Sequence, residues 1–272
     1  MAAVTSDLKV LGGGAYDGRI NTDLVHDSNM LFRPFSMSYW HPAPRDVMVI
    51  GLSTGAWTQV LIHHPQVQAM TVVEINPGYF DLIRKYPEVS SLLTNPRITY
   101  AVDDGRRWLV RNPSARFDVI VSNTSFHWRG HISNLLSVEF LELIRQHLKP
   151  GGVFFYNLTS SPEALLTGVT VFPHAIQIGS CLAVSDTPFD FDIERWKRVT
   201  AAYRIDGKPL LDLQKPEDRQ AFDNMSATYT RASREESVRM RARNAASRMI
   251  TDDNMGMEWP DFTDLLGTAL RR

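Results

Sequence analysis

Glycines and acids follow three successive apolar runs of the chain in a pattern typical of nucleoside binding. Gly51-Leu52-Ser53-Thr54-Gly55 comes directly after the run 46–50, where glycines let the backbone turn and approach a ligand beside a helix N-terminus. Glu74 ends the next run, where a carboxylate can accept both hydrogen bonds of a ribose diol. Asp104 ends the third and could accept from an adenine amine or cap the following helix. The predicted nucleoside-binding residues are Gly51, Ser53, Thr54, Gly55, Glu74, Ile75, Asp103, Asp104 and Gly105.

A dense run of polar and aromatic residues, 122–131, follows the fourth apolar run. Because ligands of parallel sheets lie at the carboxyl ends of the strands, this loop should face the reacting end of the ligand. His127 or His131 could act as a general base near neutral pH, and Arg129 could clamp an anionic substrate. Alternatively, the aromatic residues pack beneath the loop and the histidines are simply solvated. We predict a direct substrate or catalytic role for at least one of Asn123, His127 and Arg129.

The elements that must position these residues alternate in type. Short β-rich runs are separated by segments whose apolar residues are three and four apart, as in helices packed on a sheet. This alternation predicts βαβ units, and therefore an α/β fold with a doubly wound, mainly parallel sheet. The glycines of LKPGG, at 148–152, should end a helix and turn the chain into the fifth strand. The predicted strands are 46–51, 71–76, 98–104, 117–123 and 152–158.

The segments on either side of this pattern differ in character. Residues 1–45 carry GGG and DG turn signals, which predict a small β-hairpin lobe. Residues 46–190 form the predicted Rossmann-like nucleoside-binding domain, with two more strands around IQIGSCLAVSD. Residues 191–272 should form a mainly helical extension. Its arginine-rich part, 216–249, fits a solvated face or an oligomer contact better than a nucleic-acid site.

Composition and charge exclude several classes of protein. Hydrophobic residues make up 43% and charged residues 22%, which is ordinary globular usage rather than that of disordered or fibrous chains. The formal net charge of −1 gives no overall field that would recruit nucleic acid. No apolar run reaches the ~18 residues that cross a bilayer, and MAAVTSDLKV lacks signal-peptide features. With the single Cys181, this leads us to expect a cytoplasmic protein without a membrane span.

The order of the motifs resembles that of the spermidine synthase family of aminopropyltransferases. From Asp17 to Leu158, the resemblance rests on DGRIN, VMVIGLSTG, VVEINP, DDGRRWL, FDVIVSN and LLSVEFLELIRQHLKPGGVFF. The closing segment 250–258 is similar to the end of bacterial spermidine-synthase-like domains. The resemblance implies the fold of class I S-adenosylmethionine-dependent methyltransferases and a homodimer. It also implies that Glu74 binds the ribose and Asp104 the adenine of S-adenosylmethionine, its decarboxylated form or methylthioadenosine.

Several positions depart from the family's pattern. Thr54 stands where the family's Gly-Gly-Gly-Asp-Gly loop has an Asp that helps to hold the ligand's amine end. Asn123 replaces the Asp that steers and deprotonates the attacking amine, and a second acid is missing near Phe126. Asn21 replaces the glutamine of Asp-Gly-x-x-Gln. The pocket therefore lacks carboxylates that a polyamine cation would need, and an amide is a poor base. Acids that could supply the charge from flanking segments are Asp17, Asp27, Asp252 and Asp253, and the candidate substrate contacts are Asp17, Asn21 and Asp252.

Two hypotheses about function remain open at this stage. The first is a metal-free transferase that moves an aminopropyl or methyl group from S-adenosylmethionine or its decarboxylated form to a small-molecule acceptor. Aminopropyl transfer follows the resemblance, whereas methyl transfer can proceed by positioning an already nucleophilic acceptor without a strong base. The second is a catalytically silent nucleoside-binding or interaction module. The missing third glycine of G-x-G-x-x-G argues against a nicotinamide oxidoreductase.

Overall fold

A seven-stranded β-sheet organises the part of the chain that the computed structural model describes, which is residues 2–12, 14–123, 131–158, 161–232 and 237–254. The strands are β1 (Ala2–Val4), β2 (Lys9–Gly12), β3 (Ala15–Arg19), β4 (Asp46–Ile50), β5 (Ala69–Glu74), β6 (Ile98–Val102), β7 (Phe117–Ser122), β8 (Leu148–Asn157), β9 (His174–Ile178), β10 (Cys181–Ser185), β11 (Arg204–Ile205) and β12 (Lys208–Pro209). The α-helices are α1 (Met37–Trp40), α2 (Ala56–Ile62), α3 (Gly78–Ile83), α4 (Gly105–Arg111), α5 (Val138–His147), α6 (Pro162–Val171), α7 (Ile193–Ala201), α8 (Pro216–Ala232) and α9 (Ser237–Arg243). Short 3-10 helices span Pro34–Ser36, Ser90–Thr94 and Ile132–Leu135.

The strand order of the central sheet is β6-β5-β4-β7-β8-β10-β9. Strands β4 to β8 are parallel, and β10 runs antiparallel between β8 and β9. The chain winds outward in both directions from β4, so the boundary between β4 and β7 is the topological switch point where ligands of such sheets bind. This arrangement confirms the predicted α/β class and the Rossmann-like, doubly wound sheet.

The core explains why the central strands are apolar throughout. Along β4, Val47 and Val49 pack into one apolar cluster and Met48 and Ile50 into another, because successive side chains of a strand point to opposite faces. Helices α2, α3, α7 and α8 contribute side chains to the first cluster, and α4, α5 and α6 to the second. The sheet is therefore buried on both faces, which leaves its strand ends to carry the polar chemistry.

The predicted start of the fifth strand is wrong. Strand β8 begins at Leu148, directly after helix α5 ends at His147, and not after the glycines at 151 and 152. Leu148 pairs with Phe117, and the register between β7 and β8 shifts before Val119. The glycines therefore lie inside the strand, where Gly151 has φ of +78°. A positive φ at glycine is how a strand accommodates a local irregularity of this kind.

The flanking segments pack onto the central unit. Strands β1, β2 and β3 form a three-stranded antiparallel sheet, where the sequence predicted a hairpin. In the C-terminal segment, the Tyr229 side chain of α8 is buried and its hydroxyl donates to the carbonyl of Phe32. From the arginine-rich stretch, Arg241 donates to the carbonyls of Val169 and Phe172 at the end of α6. In the described ranges, no helix combines the length and apolar character that a bilayer span requires.

Candidate nucleoside-binding site

The loop between β4 and α2 turns sharply at the switch point. Gly51, Ser53 and Gly55 all have positive φ, of +90°, +47° and +77°. A Cβ at Gly51 would lie 3.5 Å from the carbonyl oxygen of Asn123, so the start of this loop and the end of β7 are neighbours. A non-glycine residue such as Ser53 adopts positive φ only when its surroundings hold it there, and such residues concentrate at ligand sites.

Glu74 holds this loop in place. Its side chain ends β5 and is 4% exposed. Oε2 accepts from the backbone N–H of Leu52 at 2.6 Å and of Ser53 at 3.3 Å, and Oε1 accepts from that of Asn76 at 2.7 Å. Burial raises the pKa of Glu74 above its usual value, with a contribution from the nearby Asp17 carboxylate, and the three N–H donors oppose that rise.

The N-terminal lobe closes over the same loop. The Ser53 hydroxyl donates to the carbonyl of Asp17, and the Tyr79 hydroxyl donates to the Asp17 carboxylate. A Cβ at Gly18 would lie 3.2 Å from Cγ2 of Thr54, so β3 passes directly above the loop. The structure thus brings Asp17 to the glycine loop and to Glu74. Tyr79 is a buried contributor that the sequence does not predict, because a tyrosine in the first turn of a helix carries no local signal of a contact 62 residues away.

Asp104 has the helix-capping role that the sequence left open. Its Oδ1 accepts from the backbone N–H of Arg107 at 2.8 Å, at the start of α4. Asp103 forms ion pairs with Arg107 and, at 3.6 Å, with Arg111. A Cβ at Gly105 would lie 2.5 Å from Cγ2 of Ile50, so only glycine lets α4 start this close to the end of β4.

Two apolar side chains stand in solvent beside these polar groups. Ile75, directly after Glu74, is 67% exposed, and Val102, at the end of β6, is 57% exposed. Both lie at the carboxyl edge of the sheet, next to the Asp104 cap. An apolar rim beside a hydrogen-bonding floor is the usual composition of a small-molecule pocket, and it suits the flat face of a base.

The reacting end of the site is only partly described. Asn123 follows β7, is half-buried and adjoins Gly51. The preceding Ser122 is fully buried, and its hydroxyl has no hydrogen-bond partner within the described structure. His131 is exposed, with φ of +67°. The predicted His127 and Arg129 lie outside the described residues.

The other candidate substrate contacts are engaged with the protein itself. The Asn21 amide donates to the carbonyl of His26 and to the hydroxyl of Ser28, both at 2.8 Å, and so builds a turn in the segment after β3. Asp252 accepts two hydrogen bonds from the Arg106 guanidinium, at 2.7 and 2.5 Å, and a third from the Ser137 hydroxyl. The Arg106 and Ser137 hydrogen bonds lower the pKa of Asp252, since both stabilise its charged form.

The comparisons with known proteins agree with this geometry. Residues 35–165 match the family described as the spermine/spermidine synthase domain. This stretch is similar to the spermidine synthase family. A polyamine aminopropyltransferase of Agathobacter rectalis is 32% identical over 147 residues, which are 52% of this chain and 50% of that protein. One from Streptococcus pneumoniae serotype 4 is 30% identical over 135 residues, 49% and 46% of the two chains. The chain thus spans about half the length of these relatives.

A solved structure agrees on the fold. Spermidine synthase from Thermotoga maritima superposes with a TM-score of 0.57 at 19% identity, over 73% of this chain and 77% of that one. The matched family range contains Glu74, Asp104 and Asn123, whereas Asp17 and Asp252 lie outside it. In the described part of the chain, no group of three or more His, Cys, Asp or Glu residues could hold a metal ion.

Proposed function

We propose that this chain is a spermidine-synthase-like transferase. It binds S-adenosylmethionine or its decarboxylated form along the carboxyl ends of β4, β5 and β6, and moves an aminopropyl or methyl group to a small acceptor. The observation that carries the proposal is the position of Glu74, which ends β5, fixes the glycine loop through the backbone N–H groups of Leu52 and Ser53, and lies beside the switch point. The family match to polyamine aminopropyltransferases supports the same reaction class.

The donor is held by groups with separate tasks. A carboxylate has about four lone-pair positions, so Glu74 can keep its backbone contacts and still accept from a ribose hydroxyl. Ile75 offers an exposed apolar surface to one face of the adenine. Asp104 uses Oδ1 in its helix cap, and its second oxygen is the acceptor for the adenine amine. The donor thus lies across the ends of adjacent strands, with its sulfonium towards Asn123.

Transfer forms a bond from the acceptor's nucleophilic atom to a carbon on the sulfonium and breaks the bond from that carbon to sulfur. The leaving group is neutral methylthioadenosine after aminopropyl transfer, or S-adenosylhomocysteine after methyl transfer. The Asn123 amide can hold the acceptor by hydrogen bonding, but it cannot take up a proton as a carboxylate does. The site therefore works mainly by positioning, and it favours an acceptor that arrives as a free nucleophile.

Calorimetric titration with S-adenosylmethionine, decarboxylated S-adenosylmethionine and methylthioadenosine tests the proposal. We expect at least one of the three to bind, and Asn123→Ala to lower turnover while nucleoside affinity stays nearly unchanged. No binding by any of them would contradict the proposal.

Asn123 in place of a base also supports a second candidate, a silent nucleoside-binding module. That module would bind the same nucleosides and form no product with any acceptor. We further propose a homodimer, which light scattering on the purified protein would check.

A further inference from the structure

Arg33 is a buried cation to which the described residues supply no matching anion. The residue is 8% exposed and directly precedes the 3-10 helix Pro34–Ser36. Its Nη2 donates to the Met30 sulfur, and its Nε finds no hydrogen-bond partner in the part of the chain that the structure describes. Within the described residues, no Asp or Glu lies within ion-pair distance of the guanidinium. The rings of Phe32 and Trp57 flank it, with their centroids 5.8 and 6.0 Å from Cζ.

The position of Arg33 is at the ligand edge of the sheet. Trp57 belongs to the first turn of α2, directly after the glycine loop, and its Nε1 donates to the carbonyl of Asn29. On the other side, a Cβ at Gly179 would lie 3.6 Å from the Arg33 Nε. Gly179 is in the turn between β9 and β10. In the same turn, the carbonyl of Ser180 accepts from the N–H of Leu158, directly after β8.

This places Arg33 towards the acceptor side of the proposed site. In the order β4-β7-β8-β10, the start of β10 lies three strand spacings from the glycine loop, which is roughly 14 Å. This distance is comparable to the length of an extended S-adenosyl donor. The guanidinium lies between those two limits, in contact with Trp57 on one side and close to the β9–β10 turn on the other.

An arginine guanidinium carries a positive charge in proteins. Burial of an ion without a partner is strongly unfavourable, and contact with aromatic rings offsets only part of that cost. The neighbouring Cys181 does not supply a negative charge, since burial raises the pKa of its thiol to about 12. The arrangement is thus complete only when an anion is bound.

We propose that Arg33 is the anion-binding residue of this transferase and that it takes a carboxylate from one of the two substrates. The inference rests on the proposed function. The carboxylate belongs either to S-adenosylmethionine, which carries one that the decarboxylated donor lacks, or to the acceptor. In both cases the buried cation repels a polyamine, because like charges in a low-dielectric site are unfavourable.

Two matched pairs of ligands distinguish the sources of the carboxylate. The first pair is S-adenosylmethionine and its decarboxylated form, titrated by calorimetry. The second is 4-aminobutanoate and putrescine, which differ in one terminal group, titrated in the presence of methylthioadenosine. We expect one pair to show a preference of about tenfold or more for the carboxylate, as a charged hydrogen bond provides. Arg33→Met should abolish that preference, and Arg33→Lys should retain part of it.

Arg195 provides the matched control. Its side chain is 13% exposed, but it is paired with Asp190 and donates to backbone carbonyls of Ser38 and Tyr39. Arg195→Met should lower the melting temperature and leave the ligand preference intact. Arg33→Met should leave the melting temperature of the ligand-free protein unchanged or higher, because it removes an uncompensated charge. A loss of stability like that of Arg195→Met would instead indicate a structural role and overturn the proposal.

Methylthioadenosine separates failure of this inference from failure of the proposed function, since it has no carboxylate and no amine tail. If neither it nor either of the two donors binds the native protein, the proposed function is wrong. If it binds, but neither ligand pair shows a carboxylate preference that Arg33→Met removes, only the role of Arg33 is wrong.

Discussion

Replacement of Glu74 by alanine tests both tasks assigned to this residue. The change removes the acceptor for three backbone N–H groups, two of them at 2.6 and 2.7 Å and the third at the longer distance of 3.3 Å. It also removes the proposed acceptor for the ribose. The two tasks predict effects on two different observables, namely the stability of the ligand-free protein and the affinity for the nucleoside.

The expected loss of stability is about 3 kcal/mol. Each of the two short bonds to a charged acceptor contributes about 1.5 to 3 kcal/mol, and the long bond to Ser53 contributes less. The cost of burying the charge, which is visible in the raised pKa of Glu74, offsets part of that sum. For a chain of this size, about 3 kcal/mol corresponds to a melting temperature lower by roughly 6 to 9 °C.

Asp118 offers a matched control at the opposite edge of the sheet. Its Oδ2 also accepts from two backbone N–H groups, those of Arg45 and Asp46, at 3.0 and 2.8 Å. Asp118→Ala should therefore lower the melting temperature to a similar degree while leaving methylthioadenosine affinity unchanged. If Asp118→Ala weakens nucleoside binding as strongly as Glu74→Ala, the binding loss reports general destabilisation rather than a lost contact.

The ribose contact itself is isolated by a second comparison. Methylthioadenosine and its 2′-deoxy analogue should differ about tenfold or more in affinity for the native protein, which corresponds to one hydrogen bond to a charged group. In Glu74→Ala that difference should vanish, because the acceptor is gone. A deoxy penalty of equal size in both proteins would refute the assignment of Glu74 to the ribose.

Two further predictions concern stability and the contact between lobe and loop. Burial lowers the pKa of His41 and of His64 from the usual 6.5 to about 4. As the pH drops, each histidine is therefore protonated in the unfolded chain before it is protonated in the folded protein. The free energy of unfolding should fall between about pH 6.5 and 4. Denaturant titrations should show a loss of up to about 3 kcal/mol per histidine, reduced in His41→Gln and His64→Gln but not in the exposed control His26→Gln. Gly12→Ala would place a Cβ against both the Tyr79 hydroxyl and the Asp17 carboxylate, so it should cost about 2 kcal/mol and weaken methylthioadenosine binding. Tyr79→Phe in the same chain should restore part of both, and no restoration would contradict this reasoning.

The sequence was sufficient to predict which residues lie at the carboxyl ends of the strands, since the strand positions follow from the periodicity of apolar residues. Apolar runs ending in Gly51, Glu74 and Asp104 place all three at one edge of a parallel sheet, whatever the surrounding loops do. The side chains around these strand ends are instead positioned by contacts between residues far apart in the sequence. Tyr79 meets the lobe 62 residues away, and Arg33 meets the turn between β9 and β10, and neither contact leaves a local pattern. The capping role of Asp104 likewise became visible only with the position of the Arg107 N–H group.

The carboxylates near the candidate site already have partners within the protein, and this affects which acceptor charge the site can accommodate. The Asp17 carboxylate accepts from the Tyr79 hydroxyl, and that of Asp252 is paired with Arg106. In the glycine loop, the Thr54 hydroxyl accepts from the N–H of Ala56 and so supports the first turn of α2. A dication arriving here would have to compete with these internal contacts for a carboxylate, and would do so in the field of a buried arginine. A neutral or anionic acceptor meets neither obstacle. We therefore expect the charge of the acceptor to separate this chain from the polyamine aminopropyltransferases it resembles.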